Sequence, residues 1–266
     1  MIICKSCKNN FKGNYCNNCG EKVVKDADFT LKKIFSQALD SITHLDSKLF
    51  KTLKLLFFYP GKLSQQFIEG IRNPYMKPFQ IFIISNIVFF ILFANEDIFK
   101  YPSPFFFKEN FEGISVLEKV RQITAKTGMS QREIADIYDI KSTNLAKGFL
   151  VFLIPIIALI AKLLNPKQHF EFGKHVIFST HFFSFLLLLF VMIFFIASLM
   201  PESTNHRLIL IPLFIILYSY FSIAIKHFYS NSYKLSFIKG IIGIGSILFL
   251  FEVYKITISI VALYSI

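Results

Sequence analysis

Two patterns of apolar residues divide the chain. Leu31, Ile34, Phe35, Ala38, Leu39, Ile42, Leu45, Leu49, Leu53 and Leu56 recur at three- and four-residue intervals, which is one apolar face of a helix. Lys32, Lys33, Lys48, Lys51 and Lys54 supply positive charge around that face. Beside a membrane span, such a helix lies in the headgroup plane or packs on its own membrane domain. Asp28 and Thr30 are candidate N-caps. Tyr59-Pro60-Gly61 stops the helix, and a shorter segment follows over residues 62–72. His44 and Asp46 read as members of a solvated face.

After residue 78 the apolar residues run together. Residues 176–200 pass with His181 as their one ionisable side chain. A helix rises about 1.5 Å per residue and about 20 residues cross the hydrocarbon core, so this stretch reads as a membrane span. Spans are expected near 79–95, 145–164, 176–200, 208–226 and 237–258. Pro155 is expected to kink the second. The last apolar stretch, 237–266, is either one tilted span or a span with an interfacial tail. Gly240, Gly243 and Gly245 within it read as sites of close helix packing.

The connection 96–144 carries helical signals of its own. Val116, Leu117, Val120 and Ile123 form a stripe closed by Gly128, and Ser130-Gln-Arg-Glu133 reads as a capping box. The run from Ser130 to Asn144 superficially resembles a helix-turn-helix. Its charge is balanced and its second half runs into a span, so it reads as an ordinary capped helix. Nucleic acid is not an expected partner.

The cysteines lie in a different setting. Cys4-Lys-Ser-Cys7 and Cys16-Asn-Asn-Cys19 give the spacing C-x2-C-x8-C-x2-C. Each pair can form a tight knuckle with two thiolates on one side, and two knuckles complete a tetrahedral Zn²⁺ site. Gly20 permits the positive φ that such a knuckle often needs. Disulfides would require an oxidising compartment, and a redox-active C-x-x-C normally sits in a βαβ setting. Structural Zn²⁺ on Cys4, Cys7, Cys16 and Cys19 is the reading preferred to both. The expected fold is therefore all-α, a polytopic helical membrane bundle of about five transmembrane helices. Residues 1–25 form a small zinc ribbon, 26–77 an amphipathic juxtamembrane segment and 78–266 the membrane domain, with 96–144 as its outer loop.

Charge adds a direction. Only 17% of residues are charged, against about 25% in a soluble chain, yet the net charge is +12. Basic residues beside apolar segments point to a bilayer with anionic lipids in its inner leaflet. Residues 1–78 contain thirteen Lys/Arg against six Asp/Glu, whereas residues 95–147 contain eight of each. The bias of Lys and Arg toward the cytoplasmic side places the N-terminus and ribbon in the cytoplasm and the C-terminus outside. A reducing cytoplasm also suits metal-binding cysteines.

Three ionisable residues fall inside or beside the spans: His175, His181 and Glu252. Burying such groups is costly, so they are functional candidates by default. Each also has a structural reading. A Ser or Thr on a neighbouring helix would satisfy His181, and Arg207 or Lys255 would neutralise Glu252. The sequence holds no H-E-x-x-H, nucleophile elbow or phosphate-binding glycine loop, so no catalytic residue is assigned.

Several short pieces carry a resemblance in their order and spacing. They are Tyr15-Cys16-Asn-Asn-Cys19-Gly20, His44-Leu45-Asp46, Thr52-Leu53, Pro60-Gly61, the run from Phe67 to Tyr75, and Pro78-Phe79. Leu153-Ile154-Pro155, Ala158-Leu159, His175-Val176-Ile177-Phe178, His181-Phe182 and Ser184-Phe185 follow. Together they resemble the uncharacterised bacterial membrane proteins of domain-of-unknown-function family 3667. The resemblance implies a ribbon-bearing protein of the bacterial inner membrane and brings no known activity. The leading expectation is an adaptor or scaffold at the cytoplasmic face, with a protein partner for the ribbon. The alternative is a small-solute or lipid transporter using polar groups of the bundle, and a homo-oligomer is compatible with either.

Overall fold

The computed structural model describes residues 1–24, 48–93, 97–108, 115–201 and 207–266. The candidate caps Asp28 and Thr30, the apolar stripe up to Leu45, His44, Asp46 and the side chain of Arg207 lie outside the described residues. Two short strands come first, β1 (Ile2–Ile3) and β2 (Asn10–Phe11). The described helices are α1 (Lys48–Phe58), α2 (Lys62–Glu69), α3 (Pro78–Leu92), α4 (Ser103–Phe106) and α5 (Val116–Thr127). They continue with α6 (Gln131–Phe149), α7 (Leu153–Leu164), α8 (Phe172–Ser198), α9 (Arg207–Tyr229) and α10 (Tyr233–Tyr264).

Among the described residues, four helical stretches are long and apolar enough to cross a membrane: Gln131–Leu164, Phe172–Ser198, Ile211–Tyr229 and Tyr233–Tyr264. The apolar helix α3 is shorter, with 15 residues. At about 22 Å it falls below the roughly 30 Å hydrocarbon core. The helical stretch that carries the span expected over 145–164 begins at Gln131, because the capping box opens the helix before the apolar run. Ser130 Oγ accepts from Glu133 N, and Glu133 Oε2 accepts from Ser130 N at 2.7 Å. No turn interrupts α6, so the stretch resembling a helix-turn-helix is one capped helix. A 3-10 turn over Leu150–Phe152 separates α6 from α7. Pro155 has no N–H to return to the Val151 carbonyl, which explains the irregularity at that point. Residues 233–264 form one continuous helix of 32 residues, about 48 Å long.

The chain forms two compact units, Met1–Leu92 with Ile154–Gly245, and Phe93–Leu153 with Ser246–Ile266. In the first, α8 is the enclosed helix, buried on nearly every side from Val176 to Leu187. Helix α3 runs along it, with Phe82 stacked on Phe183 at 5.8 Å. On another side α9 packs Phe221 edge-on to Phe182 at 4.9 Å and stacks Tyr220 on Phe185. The abundant Phe thus fills helix contacts where a hydrogen-bonding side chain would be unsatisfied. Helices α1 and α2 form a hairpin whose apolar face closes the third side. Thr52 and Leu56 are buried, and Tyr220 Oη donates to the Leu56 carbonyl at 2.7 Å. Of the two placements open to the amphipathic segment, its described part packs on the helical domain. Gly61, at φ 79°, turns the hairpin against the α9 backbone, where a Cβ would lie 2.9 Å from Ala224 Cα.

In the second unit, Phe106, Val120, Ile134, Tyr138 and Leu263 share one core, with Phe106 stacked on Tyr138 at 5.4 Å. Asp139 anchors it, accepting from Lys100 Nζ at 3.0 Å, Ser103 N at 3.1 Å and Ser103 Oγ at 2.6 Å. Helix α5 carries the expected stripe and ends at Gly128, whose φ of 74° closes the last turn.

Candidate functional site

The N-terminal head is two matching knuckles. In the first, Lys8 N donates to the Cys4 carbonyl at 3.0 Å. In the second, Gly20 N donates to the Cys16 carbonyl at 2.9 Å. The residue after each second cysteine has positive φ, 63° at Lys8 and 71° at Gly20. Sequence pointed to the glycine and not to the lysine in the equivalent place. The pairing of β1 with β2 brackets the first knuckle and a bridge between Tyr15 and Lys22 brackets the second, while Asn9 Nδ2 donates to Asn17 Oδ1 at 3.1 Å from one to the other.

This arrangement brings all four thiols together. Cys4 and Cys19 sulfurs lie 3.6 Å apart, those of Cys7 and Cys16 3.5 Å, and all four fall within 4.8 Å of one another. A tetrahedral ion with metal–sulfur bonds of about 2.3 Å needs sulfurs about 3.8 Å apart. The donor set therefore fits a metal ion. Electrostatics agree. The Asn9 backbone N–H, aided by the Asn18 side chain, brings the Cys7 thiol down to about 6 against the effect of burial. At Cys19 the Glu21 N–H acts in the same direction, but burial and the neighbouring sulfurs outweigh it and push the thiol up to about 12. Four sulfurs this close cannot all ionise without a cation among them.

Glu21 ties the head to the rest of its unit. Its Oε2 accepts from the backbone N–H of Arg72 at 3.0 Å and of Asn73 at 2.7 Å. The Asn73 side chain donates to the Cys19 carbonyl. The loop after α2 thus grips the residue next to the second knuckle. Sequence reading did not single out Glu21; its place directly after Gly20 was the available signal.

His175 and His181 both lie on α8 and both are buried, but they do not meet. His181 Nδ1 hydrogen-bonds Ser64 Oγ of α2 at 2.8 Å, the serine partner expected for it, supplied by the hairpin. His175 Nδ1 hydrogen-bonds Tyr229 Oη of α9 at 2.7 Å. In both rings Nε2 is buried without a hydrogen-bond partner among the described residues. Glu252 belongs to the second unit, is exposed, and accepts from Tyr101 Oη at 2.6 Å while pairing with Lys255 at 2.8 Å. Neither Ser64 nor Tyr229 was legible as a histidine partner in the sequence.

No curated protein and no solved structure gives a significant match to the chain. The apolar helices and the family below fit an integral membrane protein of unknown activity. Residues 46–90, which carry Thr52, Gly61, Ser64, Arg72 and Asn73, match the family model described as Protein of unknown function (DUF3667), and this match supports the chain's membership in that family.

Proposed function

We propose that the protein is an adaptor of the bacterial inner membrane, its zinc-clamped head at the cytoplasmic face offering a surface to a protein partner. The observation that carries this reading is the Glu21 clamp, which makes the metal head a fixed part of the helical unit. Cys4, Cys7, Cys16 and Cys19 would hold zinc, which an all-thiolate, closed set of four favours over harder ions. There the ion supplies folding energy to a head too small to build a core. The head exposes Ile3 and Tyr15, both above 60%. Apolar side chains that a small fold leaves in water suit a partner surface.

Orientation follows from where the basic residues gather. His227 Nδ1 bonds the Pro60 carbonyl, Gln168 Nε2 donates to the Tyr229 carbonyl, and Asn231 Nδ2 donates to Asn165 Oδ1. These contacts gather Lys62, Lys167, Lys226 and Lys234 around the C-terminal end of α9. A cytoplasmic placement of that end agrees with the bias of positive charge.

The full-length protein, purified in detergent, should hold one zinc per chain and a stoichiometric partner. The partner should be lost from an Ile3→Asp/Tyr15→Asp variant that keeps its zinc. Loss of zinc and partner together would leave the surface unsupported, and partner retention in that variant would refute it.

The second reading, transport of a small solute or lipid, rests on the unpartnered Nε2 atoms of His175 and His181. The space beside His181 is only about 10 Å³, room for about one water molecule. Uptake by reconstituted vesicles that His181→Ala abolishes, without loss of the folded protein, would favour transport over the adaptor.

A further inference from the structure

We propose that the groove between α9 and α10, at the Lys226 end, binds the headgroup of one anionic phospholipid. Lys226, Ser222 and Ser236 would donate to its phosphate. The groove holds about 190 Å³. Ser222 and Lys226 stand four residues apart on α9 and so share a face, while Ser236 comes from α10 opposite. The two serines are 8% and 3% exposed, and neither hydroxyl has a hydrogen-bond partner among the described residues. A serine or threonine inside a helix ordinarily returns its hydroxyl to the carbonyl four residues back. Thr180 and Ser184 on α8 do so at 2.7 and 2.8 Å. Ser222 and Ser236 do not, although an unmade hydrogen bond in apolar surroundings is costly.

The remaining walls suit a lipid. Lys226 Nζ lies 3.5 Å from the Tyr233 ring centroid, which holds the ammonium at the groove's mouth. Tyr218 Oη donates to the Phe237 carbonyl at 3.1 Å and closes the other side. Ile223 and Phe237 remain exposed beside the opening, apolar surface against which acyl carbons can lie. Gly240 keeps the Ser222 hydroxyl in place, since a Cβ there would collide with Ser222 Oγ. A volume below the roughly 300 Å³ of a small-molecule pocket admits a headgroup and not a whole ligand. Three donors, no acidic lining residue and flanking apolar surface together select a phosphate attached to acyl chains. This site stands whether or not the head recruits a partner.

The test uses the full-length protein in phosphatidylcholine nanodiscs doped with phosphatidylglycerol, followed by native mass spectrometry after release. One phosphatidylglycerol per chain should be retained, and neither phosphatidylcholine nor inorganic phosphate should displace it. Lys226→Gln, or Ser222→Ala with Ser236→Ala, should weaken retention about tenfold, and Lys226→Arg should preserve it. The serine double variant should melt no lower than the parent when lipid-free, because hydroxyls without partners do not hold the fold. Equal retention of the two lipids, displacement by inorganic phosphate, or unchanged retention in the variants would overturn the proposal. So would joint loss of lipid and stability in the serine variant, or a chain dimer that covers this face.

Discussion

Two glycines, two residues apart on α10, should respond oppositely to the same change. A Cβ on Gly243 would enter the Phe221 ring, lying 2.9 Å from Cζ and 3.1 Å from Leu164 Cδ1. Phe221 is fully buried, so its ring cannot swing aside freely. Overpacking of this kind costs about 1–3 kcal/mol. Exchanging Gly for Ala in a helix returns about 1 kcal/mol. The Gly243→Ala variant should therefore lose up to about 2 kcal/mol net. At Gly245 a Cβ meets nothing within 4 Å, so only the helix term remains and Gly245→Ala should gain up to about 1 kcal/mol. The assay is reversible unfolding of the purified protein in mixed micelles, with the two variants and the parent titrated side by side. A Gly243→Ala variant as stable as Gly245→Ala, or more so, would refute the packing of α9 on α10.

Thr52 donates to the Lys48 carbonyl at 2.9 Å and accepts from Met76 N at 2.9 Å, all in a buried setting. Thr52→Val should cost about 1–3 kcal/mol in the same titration, because the Met76 N–H is left unsatisfied; a loss under 0.5 kcal/mol, on the order of a surface change, would argue against that contact. Glu21→Gln should keep its metal but speed amide exchange at Arg72 and Asn73 by about 10- to 100-fold, since a charged acceptor is lost. Unchanged exchange there would mean that the head is not held by Glu21. Metal affinity should rise with pH, because the Cys19 thiol, pushed up to about 12, must shed its proton to become a ligand. An affinity independent of pH between about 6 and 8 would contradict thiolate ligation. Chelation should unfold the head, seen as proteolysis confined to the N-terminal residues, while the far-ultraviolet helix signal persists; a protease-resistant chelated head would show that metal does not hold it.

The features readable in advance were those encoded locally. The C-x2-C spacing, the Ser130-Glu133 box, the stripe from Val116 to Ile123 and the long uncharged runs each depend on neighbours in sequence, and each is present. The glycines show the limit. Sequence treats Gly240, Gly243 and Gly245 alike, but the first two face α9 and the third faces open space. That difference depends on the rotation of one helix against another, which composition does not fix. The same holds at the histidines. His181 called for a hydroxyl partner, but Ser64 lies 117 residues away and reaches it only because the hairpin folds back on α8. The helix that carries the second expected span begins 14 residues before it, because the apolar run marks where lipid is expected to begin, whereas the capping box marks where the helix begins.

The proposed topology holds a metal-clamped thiol head, fixed to a helical membrane unit, at the cytoplasmic face. Labelling of the four native cysteines with a membrane-impermeant maleimide tests it most directly, in sealed vesicles of either orientation, before and after chelation. Reaction is expected in inside-out vesicles only, and only once the metal has been removed. Reaction from the outer face of right-side-out vesicles, or equal reaction without chelator, would contradict it.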